Sequence, residues 1–177
     1  MKNISLLAIF IFASLLSFAQ AGPSDSLYWS ETAKLQWKDF EGKADSKKGR
    51  LSQATIQMDA RFRKGIKATT SVKTFFHRKL SCILAEEKTP TMLRYYQALF
   101  DLYEAQSRKL RKTLKETKLG FDPEKVFQEK YNAALKELEE RTDQYMEETE
   151  TGENSAEIER WEKMIQTELK QLEAFSK

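Results

Sequence analysis

The chain of 177 residues carries 30 basic and 27 acidic groups, a net charge of +3, with 40% hydrophobic, 32% charged and 11% aromatic residues. That much apolar and aromatic material excludes a disordered chain, and the interleaving of opposite charges removes the global positive field that would argue for nucleic acid as a partner. A single cysteine and a single histidine exclude an internal disulfide and any histidine-rich metal site.

Residues 1–21 read as a secretory signal peptide: Lys2 supplies the positive start, Ile4 to Phe18 the apolar run, and Ala19-Gln20-Ala21 a small-x-small cleavage site. The run is shorter than the ~20 residues of a spanning helix, so cleavage is expected in preference to an uncleaved anchor. That would leave 22–177 as one exported domain, periplasmic or secreted, with no membrane span. Leu27-Tyr28-Trp29 and Leu35 to Gly42 alternate apolar with polar residues and are expected as strands, with Trp37 and Phe40 as core anchors and Gly42 opening a turn. Lys43 to Arg50 is polar, basic and glycine-containing, hence a loop. Ala54 to Phe62 alternates with period two, putting Ile56, Met58, Ala60 and Phe62 on one face, and Arg63-Lys64-Gly65 would turn it into an antiparallel partner over Ile66 to Val72. Thr74 to Leu84 is ambiguous between strand and helix. Within it Cys82, among Leu80, Ile83 and Leu84, reads as a buried small hydrophobe. His77 reads as an edge or surface side chain, because a zinc site needs three or more protein ligands.

Three helices follow. Thr89 as N-cap and Pro90 at the first helical position open one over about 90–117, with Met92, Tyr96, Leu99, Tyr103 and Leu110 on its buried stripe. Near its end Arg108, Arg111, Lys112 and Lys115 form a basic stripe that complements the helix dipole. Glu104 pairs with Arg108 at i,i+4, an exposed contact worth only ~0.3–0.5 kcal/mol; this reading is preferred to an anion-binding or membrane-surface patch. Asp122-Pro123 repeats the start signal for a helix over 122–148, whose stripe is Phe127, Tyr131, Ala134, Leu138, Thr142 and Tyr145. Asn154, with Glu157 three residues on, caps a third over 155–175. Its seam of Ile158, Trp161, Ile165, Leu169, Leu172 and Phe175 is expected to pack within the chain rather than as a coiled coil with another. The fold class is α+β: a small, mostly antiparallel sheet from 27–84 beside three helices.

Four of these stretches resemble segments of a family of exported bacterial zinc-dependent proteases. Leu35-Gln36-Trp37-Lys38-Asp39-Phe40-Glu41-Gly42 is similar to the family's L-x-W-x-D-F-x-G. Leu93 to Arg111 follows the frame L-x-H-E-Q-x-H-F-D-x-x-E-x-x-A-R-x-L-R and matches it at Gln97, Phe100, Asp101 and Glu104. Tyr145 to Gly152 resembles Y-D-x-x-T-x-H-G, with Tyr145 and Gly152 in place, and Trp161, Ile165 and Leu169 resemble the closing helix. The resemblance implies a zincin-like arrangement, and the chain departs from it at the metal site itself. Where the family has its first histidine, its glutamate and its second histidine, this chain has Tyr95, Tyr96 and Leu99; the third histidine is replaced by Thr151. H-E-x-x-H works because residues four apart share a helix face and grip one zinc ion, while the glutamate acts as base on the metal's water. A tyrosine with a pKa near ~10 is a poor ligand and a poor base at neutral pH, and leucine is no ligand at all.

The chain therefore looks like a non-catalytic member of that family, holding neither metal nor other cofactor. Tyr95, Tyr96, Leu99 and Thr151 would then form either a cleft that binds a peptide or cell-envelope component or a repacked core face. Two alternatives stay open: a helical adaptor or chaperone-like protein, and a hydrolase with a different site built on Glu104 or Asp101. A replacement metal on Asp101, Glu104 or the run Glu147, Glu148, Glu150 and Glu153 is the weaker idea, since no loop has calcium-ligand spacing.

Overall fold

The structure, a computed structural model, describes residues 25–49, 51–65, 68–118 and 120–177; the signal-peptide reading of 1–21 lies outside them. The alternating stretch after Ala54 forms β2 (Ile56–Arg63), which with β1 (Ser26–Tyr28) and β3 (Thr69–His77) makes an antiparallel sheet of order β1-β3-β2. The register sets Ile56 opposite Phe76, Met58 opposite Thr74 and Ala60 opposite Val72. Met58, Val72, Thr74 and Phe76 are buried, as expected for side chains two apart on the covered face of a half-buried sheet.

Two strand expectations are corrected. Of the partner strand expected over Ile66 to Val72, residues 69–72 run on with the start of the ambiguous stretch from Thr74 as one strand, β3, residues 66 and 67 lying outside the described ones; it ends at His77 before a turn and an isolated bridge between Gln53 and Cys82. A polar Thr74 faces the core and an apolar Phe75 faces away, so the alternation looks broken where the strand continues. Leu35 to Gly42 is not a strand but an irregular segment with a 3-10 turn at Trp37–Asp39. Asp39 Oδ2 accepts the Gln36 N–H at 2.9 Å, a local bond that competes with a sheet ladder, and its other oxygen pairs with Arg78 at 3.1 Å. A Cβ on Gly42 would stand 2.7 Å from the Ser81 carbonyl oxygen, so glycine is required by that close approach. The polar loop after it holds one 3-10 turn, Ser46–Lys48, capped by Asp45.

The helices start where local chemistry says they should: α1 is Pro90–Glu116, α2 Pro123–Glu148 and α3 Ser155–Gln171. Thr89, Asp122 and Asn154 accept the N–H of Met92, Lys125 and Glu157 respectively, each three residues on, which satisfies donors that have no partner inside the helix. The third helix is shorter than expected; it stops at Gln171, and Phe175 belongs to a separate 3-10 turn, Glu173–Phe175. Its seam does pack within the chain, with Ile158, Trp161, Ile165 and Leu169 in one core cluster with Tyr95, Leu99 and Leu102 of α1.

α1 is the axis of the fold. It touches β2 and β3 on one side and α2 and α3 on others, so burial runs around it rather than along one stripe, taking in Asp101, Glu104, Gln106, Ser107 and Arg108. The basic stripe is corrected accordingly. Arg108 is 4% exposed and its pair with Glu104 is buried, Arg111 is half-buried, and only Lys112 and Lys115 face solvent. Cys82 is buried, as its neighbours suggest.

Candidate functional site

Tyr95, Tyr96 and Leu99 lie on the first half of α1, where the fold is thickest, and are 3%, 6% and 8% exposed. An unbroken column of rings passes through them. Phe76 of β3 meets Phe40 at 5.0 Å between centroids, Phe40 meets Tyr96 at 5.2 Å, and Tyr96 meets Tyr95 at 5.1 Å. Tyr95 then stacks on Tyr145 of α2 at 5.1 Å, and Tyr145 meets Trp161 of α3 edge-on at 5.4 Å. Each such pair contributes ~0.5–1.5 kcal/mol beyond the area it buries, so the column ties sheet and three helices together. The Tyr145 hydroxyl donates to the Tyr95 carbonyl oxygen at 2.9 Å. Burial pushes the Tyr95 phenol up to about 12, and it raises the phenols of Tyr96 and Tyr145 as well. All three stay neutral near pH 7, and their covered faces leave no ring surface for a peptide. Of the two readings of Tyr95 and Tyr96, a binding cleft or a repacked core face, their burial fits the second.

The segment carrying Thr151 approaches the same place. After α2, Thr149 is buried, its hydroxyl donating to the Tyr145 carbonyl, and a 3-10 turn at Glu150–Gly152 brings the chain back over α1. Gly152 lies against Met92 and Tyr95: a Cβ there would be 2.9 Å from Met92 Cε and 3.3 Å from Tyr95 Cγ. The Thr151 side chain, one residue earlier, is exposed.

Asp101 and Glu104, the residues on which a different hydrolase site would be built, are both buried and hydrogen-bonded. Asp101 Oδ1 accepts from Trp29 Nε1 at 2.7 Å and from Gln97 Nε2 at 2.8 Å. Its Oδ2 accepts from Gln166 Nε2 at 2.9 Å, with Lys34 Nζ at 3.6 Å. Burial holds its carboxyl above the usual carboxylate range, against the opposing pull of Trp29, Lys34 and Gln97. Gln97 also accepts the Leu35 N–H at 2.8 Å, so this pair pins the N-terminal segment and α3 to α1. Phe100 is fully buried beside Phe76. Spacing alone could not find these partners, because Trp29 and Gln166 lie far from Asp101 in sequence.

Glu104 sits in a denser network. Its carboxylate accepts from Thr74 Oγ1 at 2.8 Å, from Arg108 Nε at 3.1 Å and from Arg111 Nη1 at 2.9 Å. Thr74 is also 2.6 Å from Ser107 Oγ. Arg108 Nη1 donates to the Leu169 carbonyl at 2.6 Å, and Arg111 donates to the carbonyls of Val72 and Phe175. Two guanidiniums therefore share one carboxylate in the interior. The only sequence signal for this was the i, i+4, i+7 spacing of Glu104, Arg108 and Arg111. Among the described residues no three His, Cys, Asp or Glu side chains converge as a metal ion requires, the glutamates at 147, 148, 150 and 153 included. Comparison of the chain with known protein families, with curated proteins and with solved structures finds no match.

Proposed function

We propose that this protein is an exported, non-catalytic relative of the zinc-dependent proteases its motifs resemble, and that it works by binding a peptide or cell-envelope component rather than by hydrolysis. The reading is carried by one observation: the helix positions that would hold the two histidines and the glutamate are Tyr95, Leu99 and Tyr96, and the two tyrosines form the middle of the aromatic column. A zinc site needs deprotonated or neutral N, S or O ligands around an open coordination position. Here neutral phenols and a leucine fill that space. The return of Gly152 onto Tyr95 supports that kinship, because the resemblance puts the third ligand position, Thr151, in the same segment. Binding uses a surface other than the column, since that face is closed.

The test is metal analysis of the purified protein lacking residues 1–21, beside a variant carrying Tyr95→His, Tyr96→Glu, Leu99→His and Thr151→His. The native chain is expected to hold no stoichiometric zinc and to cleave no peptide substrate, and added zinc is expected to raise the melting temperature of the variant. Tightly held stoichiometric zinc in the native protein would refute the proposal whatever the variant does.

A further inference from the structure

A groove of about 880 Å³ opens where β1 ends, between β3 and the second half of α1, with Phe175 on its far wall. Its volume lies in the range of small-ligand sites, roughly 300–1,000 Å³. The groove is lined by five basic side chains and two side-chain carboxylates, Glu104 and Glu31. The cations stand on aromatic rings: Arg108 lies 5.0 Å from the Trp29 ring centroid, Lys73 5.4 Å from Tyr28 and Lys115 5.4 Å from Phe175. Lys73 and Lys115 are exposed and have no carboxylate partner among the described residues.

The charge balance is uneven in depth as well as at the rim. Glu104 neutralises only one of the two guanidiniums it holds, and the carbonyls of Leu169, Val72 and Phe175 that take the other N–H groups carry no full charge. An uncompensated charge away from water is unfavourable and attracts a counter-charge strongly, because screening there is weak. Arg111 spends all three nitrogens on protein acceptors. Arg108 does not: Nε goes to Glu104 and Nη1 to Leu169, while Nη2 has no hydrogen-bond partner among the described residues and is not among the side-chain atoms closed off from solvent. A guanidinium N–H left open in a basic groove suits a carboxylate or phosphate oxygen.

We propose that this groove binds a small organic anion, with its carboxylate or phosphate group on Arg108, its charge completed by Lys73 and Lys115, and its apolar part against Trp29 and Phe175. The site does not depend on kinship with proteases and is separate from the closed aromatic column. Calorimetric titration of the protein with phenyl phosphate, benzoate, inorganic phosphate and phenol, each to about 10 mM, tests it. At least one of the two organic anions binds saturably, inorganic phosphate binds more weakly than the better of them, and phenol does not bind. The Trp29 indole N–H resonance moves on titration while those of Trp37 and Trp161 stay. The variant Lys73→Gln/Lys115→Gln, whose two positions are exposed, stays folded by circular dichroism and loses at least about tenfold in affinity, a change of ~1.4 kcal/mol. The proposal is overturned if neither organic anion saturates, if phenol binds as well as they do, if Trp29 does not respond, or if the double variant binds like the native chain.

Discussion

The turn over α1 at residues 150–152 makes a pair of substitutions with opposite signs. Glu150 and Thr151 have φ of 50° and 53°, and Gly152 follows at 104°. A left-handed conformation raises the energy of an L-residue by roughly 1–2 kcal/mol, with β-branched side chains at the high end. Thr151 is exposed, so Thr151→Gly removes that strain without removing packing; added freedom of the unfolded chain opposes it by about 0.4–1 kcal/mol. The net expectation is a gain of about 0.5–1 kcal/mol. Gly152→Ala does the reverse. Its φ lies beyond the left-handed well, worth ~1–3 kcal/mol of strain, and the new methyl would sit 2.9 Å from Met92 Cε, 3.0 Å from its Sδ and 3.3 Å from Tyr95 Cγ. The methionine tip can swing aside, but the Tyr95 ring cannot, because it is stacked on Tyr145 at 5.1 Å. Adding ~1 kcal/mol for overpacking, Gly152→Ala should lose about 2–4 kcal/mol, or roughly 5–12 °C in melting temperature for a chain of this size. Urea unfolding followed by tryptophan fluorescence and thermal unfolding followed by circular dichroism read both changes. A Gly152→Ala variant within about 0.5 kcal/mol of the native chain, or a Thr151→Gly variant destabilised by more than that, would refute the described turn and with it the covering of Tyr95.

Two further outcomes are expected. Glu104→Gln keeps the shape of the side chain but leaves two interior guanidiniums with no carboxylate, and should destabilise by about 3–5 kcal/mol; a loss under 1 kcal/mol in urea unfolding would mean that the network is solvated. His77, with Nδ1 buried and unpartnered and Nε2 3.0 Å from Gln57 Oε1, is held by burial below its ordinary pKa of 6.5. Because the folded value lies below the unfolded one, its neutral form favours the native state. That contribution is intact above about pH 6.5 and declines as pH falls toward the folded pKa. As the sole histidine, it gives one imidazole titration by NMR, and a midpoint at or above 6.5 would contradict the burial.

The starts of all three helices and the β2 strand were legible because their causes are local. A threonine, aspartate or asparagine reaches an N–H three residues away whatever the rest of the chain does, and Ile56, Met58, Ala60 and Phe62 share a face by the pleat alone. What spacing could not say was which way Tyr95 and Tyr96 face or what covers them. Phe40, Tyr145 and Trp161 come from three other segments, and a ring on a helix reads the same whether it borders a cleft or fills a core.

From its sequence alone the chain determined an α+β class and the beginnings of its helices. Tertiary structure decided that the middle of α1 is packed between the sheet and the other two helices and that the pair Glu104–Arg108 is buried rather than surface decoration. It also decided that a groove onto which Arg108 opens lies beside that pair. The physical reason is that burying a charge depends on partners brought from afar: Thr74 on the sheet, the Leu169 carbonyl at the end of α3 and the Phe175 carbonyl on the last turn. No periodicity within a single helix encodes them.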